Sequence, residues 1–402
     1  MTNAEPPTSD PPTGDLHTLR IRMFAATTAT YLVGLAIVQH NPLFVQMVGR
    51  APIKIENVGY QGHLLVHTLL TIIGDNPGLC LVRLAIAALV VQGIKVFLAD
   101  PTELEPERYR PYVFWRAAYR FLGSIWPFLS RRRLDGPPTS SLTEYERVTV
   151  RYFGVKLLFL PIMVSFFFGN LQGFLSQVCA PNGPASFSVP FIHKMYLNWY
   201  MTIMLADVAW FAICCAIETR RFSPVVTVDP YASGWIINMA CYPPLVELFG
   251  RAIVWHVPDF PAVESPIGAL IYSVCGIVLF TFYVLADFSF GLKAGNLYYR
   301  GLVDKGPFKL IRHPMYSSKN LAWLIFTIPA LNFHLQSQSI TLGAIHLTAT
   351  LPSANWAMIL PIIAWLGIYA GRAIAEERYL LAFPEYQEYC KRVRYRFFPG
   401  VF

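Results

Sequence analysis

Eight stretches of this chain are long and apolar enough, or nearly so, to cross a lipid bilayer, and they constrain its fold more than any other feature. At 1.5 Å rise per residue, a helix needs about 20 largely apolar residues to cross a hydrocarbon core of about 30 Å. The stretches run near 22–39, 79–99, 152–170, 195–217, 234–255, 267–287, 321–338 and 354–374. In lipid the backbone has no water to bond to, so each is read as a helix that satisfies its own N–H and C=O groups. Composition agrees, with 54% of the 402 residues apolar and 14% charged, against about 25% charged in soluble domains. A soluble globular enzyme, a disordered chain and a small disulfide scaffold are excluded. The expected fold is an all-α, polytopic transmembrane helix bundle of about eight spans. Pro329 interrupts the seventh stretch, whose end is polar. A ninth apolar stretch, His63 to Gly74, is too short to cross and reads as a re-entrant or interfacial helix.

Along an eight-span path, 25 of the 32 Lys and Arg fall on the side that holds both termini, four on the other, and three within spans. Basic loops stay in the cytoplasm, so both termini are expected there. The 100–151 loop carries nine, including Arg131-Arg132-Arg133, and the 288–320 loop six. The net charge of +8 therefore reads as topology and contact with anionic lipid headgroups, not as nucleic-acid binding. The first twenty residues are polar, hold Pro6, Pro7, Pro11 and Pro12, and are expected to be a disordered tail. No basic n-region or small-residue cleavage site suggests a removable signal peptide. The seven cysteines form no C-x-x-C pair and lie mostly in apolar runs, so neither a disulfide framework nor a thiolate metal site is expected. The expected organisation is the tail 1–20, a membrane region 21–265 of about five spans, and a C-terminal membrane domain 266–402.

Ionisable groups inside a membrane are expensive, and Lys156, Asp207 and Glu247 lie within spans. They read equally as the lining of a substrate path or as pairing between helices, with snorkelling for Lys156. Pro243-Pro244 is expected to kink the fifth span. His63 and His67 share one helix face at a spacing that can chelate a metal, but a single such pair makes no centre, and no metal is expected.

Chemistry concentrates in the last 115 or so residues. A glycine-punctuated, basic loop runs from Gly291 to Phe308, followed by Lys309-Leu310-Ile311-Arg312-His313-Pro314-Met315-Tyr316. Gly306-Pro307 sets a turn, and glycines let backbone approach a ligand closely. Pro314 holds His313 extended and opens the next helix, placing His313 and Tyr316 at the mouth of the seventh span, where backbone N–H groups can meet a polar ligand. The eighth span ends in Gly371-Arg372-Ala373-Ile374-Ala375-Glu376-Glu377, with Arg372 and Glu376 one helical turn apart. As an i,i+4 ion pair they contribute only about 0.3–0.5 kcal/mol. An aromatic, basic tail follows, with Tyr386 and Tyr389 ahead of Lys391, Arg392, Arg394 and Arg396, and is expected on the inner membrane surface.

Gly306-Pro307-Phe308, Arg312-His313-Pro314-Met315-Tyr316, Glu376-Glu377 and the Tyr386/Tyr389 tail, in that order across one helical hairpin, resemble the isoprenylcysteine carboxyl methyltransferase family. The likeness covers about residues 290–402. It implies an integral membrane enzyme using S-adenosylmethionine, held in a cytoplasm-facing pocket closed by the C-terminal hairpin. By the same resemblance, Leu302, Val303 and Phe308 wrap the cofactor, and His313, Pro314, Met315 and Tyr316 form the main cofactor motif. Glu376 is the acidic cofactor contact, and Arg372 orients the methyl acceptor as substrate-binding and catalytic residue. The acceptor is then lipidic or lipid-linked, and a carboxylate acceptor would need no general base. The chain departs from the family in its extra first half and in Ser317-Ser318-Lys319-Asn320, which replaces a small-aromatic sequence common after the motif.

Two other readings stand beside this one. The end, Tyr389 to Gly400, also looks like that of membrane sterol reductases, which use NADPH. Those generally carry an Asn before the motif tyrosine and lack the proline after the histidine. A non-enzymatic transporter or lipid-binding protein would rest on Lys156, Asp207 and Glu247.

Overall fold

The computed structural model describes residues 16–42, 45, 77–99, 105–129, 142–178, 189–216, 223–243, 245–246, 263, 265–331, 334–342, 345–353 and 359–400. Among these the chain is mostly helical. The helices are α1 (Leu16–His40), α2 (Pro77–Leu98), α3 (Arg110–Leu129), α4 (Glu144–Val178), α5 (Val189–Ala216), α6 (Ala232–Met239), α7 (Pro266–Ser289), α8 (Pro314–Thr327), α9 (Ile359–Leu380) and α10 (Pro384–Arg392). Two antiparallel ribbons accompany them: β1 (Thr227–Val228) pairs with β2 (Tyr298–Tyr299), and β3 (His334–Leu342) with β4 (Ile345–Ser353).

Six helices, α1, α2, α4, α5, α7 and α9, are long and apolar enough to cross a membrane. They coincide with six of the eight expected stretches and give the chain the architecture of a multi-pass helical membrane protein. Of the 234–255 stretch, residues 234–239 belong to α6 and most of the rest lies outside the described residues. His63, His67, Arg131-Arg132-Arg133 and Glu247 also lie outside them.

The seventh stretch differs from its expectation. Helix α8 has 14 residues, about 21 Å at the usual rise, and gives way to a 3-10 turn at Pro329–Leu331. Pro329 lacks the N–H that would continue the ladder, and its ring clashes with the preceding turn. Beyond it the apolar period shortens to two, with Ile345, Leu347, Ala349 and Leu351 alternating with His346, Thr348 and Thr350, the signature of a strand. The ribbon pairs in register from His334↔Ser353 to Leu342↔Ile345, so a straight crossing helix over 321–338 is replaced by a short helix and a hairpin. A second difference is α3, a helix inside the loop 100–151.

The chain forms two compact units. The first comprises 1–172, 208–230 and 295–300, the second 173–207, 231–294 and 301–402. In the first, α1 packs on α2 and α3, and Trp115 donates its indole N–H to Thr30 Oγ1 at 3.0 Å. Arg116 bonds both oxygens of Glu107 at 2.5 Å, and Arg120 meets the buried Glu146. Lys156 donates to the carbonyl of Ala216, the last residue of α5, at 2.9 Å, and lies 4.7 Å from the Tyr152 ring centre. A cation at a helix C-terminus is favourably placed.

In the second unit, α7, α8 and the first part of α5 enclose an aromatic core of Tyr196, Tyr200, Phe280, Tyr283 and Phe326. Tyr200 meets Phe280 edge to face at 4.9 Å. Gly276 makes room for it: a Cβ there would fall 2.7 Å from Tyr196 Cζ and 3.0 Å from Phe326 Cζ, both on fully buried rings. Gly276→Ala should therefore lower stability by about 1–3 kcal/mol despite alanine's better helix propensity, and thermal unfolding in detergent would read the loss; an unchanged or raised Tm would refute the packing argument. A second cluster, Trp323, Ile362, Trp365 and Tyr369, joins α8 to α9.

Candidate functional site

The site grows from the proline after His313. Pro314 occupies the first turn of α8, leaving His313 as the cap with φ −125° and ψ 62°. Pro has no N–H to satisfy and its φ suits a helix start. The backbone N–H groups of Arg312 and His313 donate to the carbonyls of Tyr395 and Arg396, each at 2.9 Å. Ser317 Oγ adds a bond to the Phe397 carbonyl at 2.8 Å. The C-terminal tail is thereby laid along the motif like a strap. Helix α10 holds it down: the Tyr389 hydroxyl donates to the Phe308 carbonyl at 2.8 Å, and Tyr386, Tyr389 and Val393 form a small core. Burial pushes both phenols well above their ordinary range, so they stay neutral donors. The turn beneath them needs Gly306, whose φ of +56° only glycine adopts readily.

Two adjacent carboxylates from α9 complete the centre. Glu377 Oε2 accepts from Arg312 Nη1 at 3.0 Å and from Arg396 Nε at 2.9 Å, and its Oε1 faces His313 Nε2 at 3.1 Å. With its side chain 3% exposed, Glu377 is a buried hub that ties motif, helix and strap together. Glu376, one residue earlier and so about 100° round the helix, turns to other partners. It accepts from the Tyr316 hydroxyl in a short bond, and stands 3.7 Å from Arg372 Nη2 and 3.8 Å from His313 Nδ1. His313 thus faces a carboxylate on each side. Its ring stacks on Tyr316 at 5.3 Å with 8° between planes. The Arg372 guanidinium lies 5.1 Å from the Tyr316 ring centre and 5.7 Å from that of Tyr369, within the range of cation–π attraction.

Of the residues singled out from the sequence, His313, Tyr316, Arg372 and Glu376 converge here. Pro314 is buried in the first turn of α8. Leu302 packs against the Tyr386/Tyr389 cluster, with the half-buried Val303 beside it in the chain. Phe308 is buried edge-on to Phe290 at 4.8 Å. Met315 turns away and packs against the aromatic core of α5 and α7, because one residue along α8 is a different face. The residues that sequence reasoning missed are the partners of the hub. Arg312 and Glu377 stood in the quoted motifs without a role, and Arg396 was one cation of a basic tail. Among the described residues no group of three or more His, Cys, Asp and Glu is placed to hold a metal ion.

Fold and site together define a multi-pass helical membrane protein with an ionic, aromatic-lined centre at one end of a helical hairpin. No family model, curated protein or solved structure matches the chain.

Proposed function

We propose that the chain is an integral membrane methyltransferase using S-adenosylmethionine and a lipidic or lipid-linked acceptor. The observation that carries this reading is the meeting of His313 and Tyr316 from one helix with Arg372 and Glu376 from the next, around aromatic faces. The residues fit such a cofactor. Glu376 is a carboxylate only 21% exposed, suited to a cationic group where water is scarce. Arg312 Nε is a buried donor that lacks a hydrogen-bond partner, suited to a carboxylate oxygen. Leu302, Val303 and Phe308 would supply the apolar wall. When bound, S-adenosylmethionine supplies a methyl group activated on a sulfonium.

The protein's own contribution is alignment, which in-line displacement needs more than acid–base chemistry. Tyr316, Tyr369 and Glu376 restrict Arg372 to few rotamers, so its planar fork can orient an acceptor. The Glu377 clasp holds the strap over the site and would keep water out.

The same contacts support eight crossings with both termini in the cytoplasm. The loop after α7 and the tail after α9 touch at Arg312–Tyr395, so α7 and α9 end on one side. With α9 crossing, the segment of α8 and the hairpin would supply the return crossing between them, and the 234–255 stretch the remaining one. The Lys and Arg bias then sets that side as cytoplasmic.

Calorimetry on the full-length protein in detergent tests the reading. S-adenosylmethionine should bind and NADPH should give no heat, and His313→Ala should weaken binding at least about tenfold, the worth of one charge-assisted contact. Binding of NADPH alone would hand the site to a reductase.

A further inference from the structure

The strap that closes the candidate site has an outer face that the site does not use. Tyr389 ties α10 to the Phe308 carbonyl, and Arg312 ties the strap at the carbonyls of Arg394 and Tyr395. Lys309 and Leu310 lie between the two ties on one segment, and Arg394 and Tyr395 lie at the second tie on the other. All four are exposed, Leu310 by 61% and Tyr395 by 39%. Phe398, further along the strap, is exposed as well. The inner face of the same strap serves the site. Arg396 bonds Glu377 there, and the Phe397 ring centre stands 5.8 Å from that of His313.

Charge sets the outer face apart. Residues 301–311 and 384–400 carry six Lys and Arg against three acidic residues. Asp304 pairs with Arg392 at 2.9 Å, Glu388 with Lys391 at 2.6 Å, and Arg396 with Glu377 at 2.9 Å. Among the described residues, Lys309 and Arg394 join no ion pair. Bare cations interleaved with exposed Leu, Tyr and Phe suit an anionic partner that also takes apolar groups. A soluble phosphate would use the charges and leave Leu310, Tyr395 and Phe398 in water. The position names the partner. The strap follows α9, and the loop that carries Lys309 follows α7, two helices long and apolar enough to cross a membrane. Leu285 and Phe288 near the end of α7, and Leu381 just past α9, are exposed too. In a bilayer crossed by α7 and α9 the patch stands where hydrocarbon gives way to headgroups, the level at which aromatic and long basic side chains settle.

We propose that Lys309, Leu310, Arg394, Tyr395 and Phe398 form a docking surface for anionic lipid headgroups, and that this contact keeps the C-terminal strap seated over the site. Seating the strap brings Lys309 and Arg394 to one junction, where they repel each other. An anionic headgroup offsets that repulsion, so it favours the closed strap over the open one. The inference goes beyond the methyltransferase reading and does not rest on it.

Hydrogen exchange on the full-length protein in lipid nanodiscs reads the strap directly, because the N–H groups of Arg312 and His313 are bonded to it. In phosphatidylcholine with about one-third phosphatidylglycerol, these two amides should exchange at least about tenfold more slowly than in phosphatidylcholine alone. Each cation near an anionic surface contributes about fivefold. Salt at about 0.5 M should remove most of the difference. The double variant Lys309→Gln, Arg394→Gln should exchange alike in both discs. Neither side chain joins an ion pair, so the substitutions leave the strap's own bonds in place. Equal exchange of the wild type in the two discs, or a difference that the double variant retains, would overturn the docking surface. So would the same slowing in phosphatidylcholine discs given glycerol 3-phosphate, which would make the patch a site for a soluble anion. S-adenosylmethionine takes no part in the readout, so the two readings stand or fall separately.

Discussion

Replacing Glu377 with alanine should release the C-terminal strap and cost about 3–5 kcal/mol, the usual penalty for removing one partner of a buried ion pair. The residue is 3% exposed and receives Arg312, Arg396 and His313 at once. Its loss leaves Arg312, whose side chain is 12% exposed, without its carboxylate. Glu377→Gln should recover little. The amide oxygen can still accept from both guanidiniums while its N–H₂ faces His313 Nε2, but the negative charge on which both ion pairs rest is gone. Thermal unfolding would report the stability change, and limited proteolysis at residues 393–400 the loosened strap. A wild-type Tm with a protected tail in Glu377→Ala would refute the clasp.

Arg372→Ala should lower turnover about 10²-fold, a typical result of misplacing a reacting group by about an ångström, while S-adenosylmethionine affinity stays within about twofold. The guanidinium is fixed by two ring faces and stands beyond hydrogen-bond length, 3.7 Å, from Glu376, so it is not needed to hold that carboxylate, which Tyr316 already bonds. Lysine should not rescue the variant, because a point charge on a flexible stem lacks the planar fork. The measurement is transfer of a labelled methyl group into a lipid extract, alongside calorimetry of the cofactor. Parallel loss of affinity and turnover would mean that Arg372 supports the cofactor instead of orienting the acceptor.

The crossing helices were legible because length and hydropathy over some twenty residues suffice to define them, as with α7 and α9. Averaging over such a window also explains the seventh stretch, where it runs across Pro329 and the polar residues behind it. Helix α3 escaped because the 100–151 loop was read for its positive charge, although Arg116 and Arg120 have acidic partners in Glu107 and Glu146. At the site, residue types were legible and pairing was not. Glu376 and Glu377 are neighbours in the chain, and only the helix rotation between them decides which meets His313 Nε2 and which meets Tyr316. The partners of Glu377 lie 65 and 19 residues away, at Arg312 and Arg396, and no local spacing encodes that.

The β3–β4 hairpin has a consequence for sidedness. Helices α8 and α9 run in opposite directions, since Tyr316 meets Glu376 at one end while Trp323 meets Trp365 further along. The hairpin that joins their other ends therefore lies away from the clasp. A two-stranded ribbon has two unpaired edges, and lipid tolerates none. In the eight-crossing arrangement proposed above it would stand in water or under protein cover beyond the hydrocarbon, on the opposite leaflet. An impermeant reagent added to sealed vesicles would then reach either the ribbon or the strap, never both.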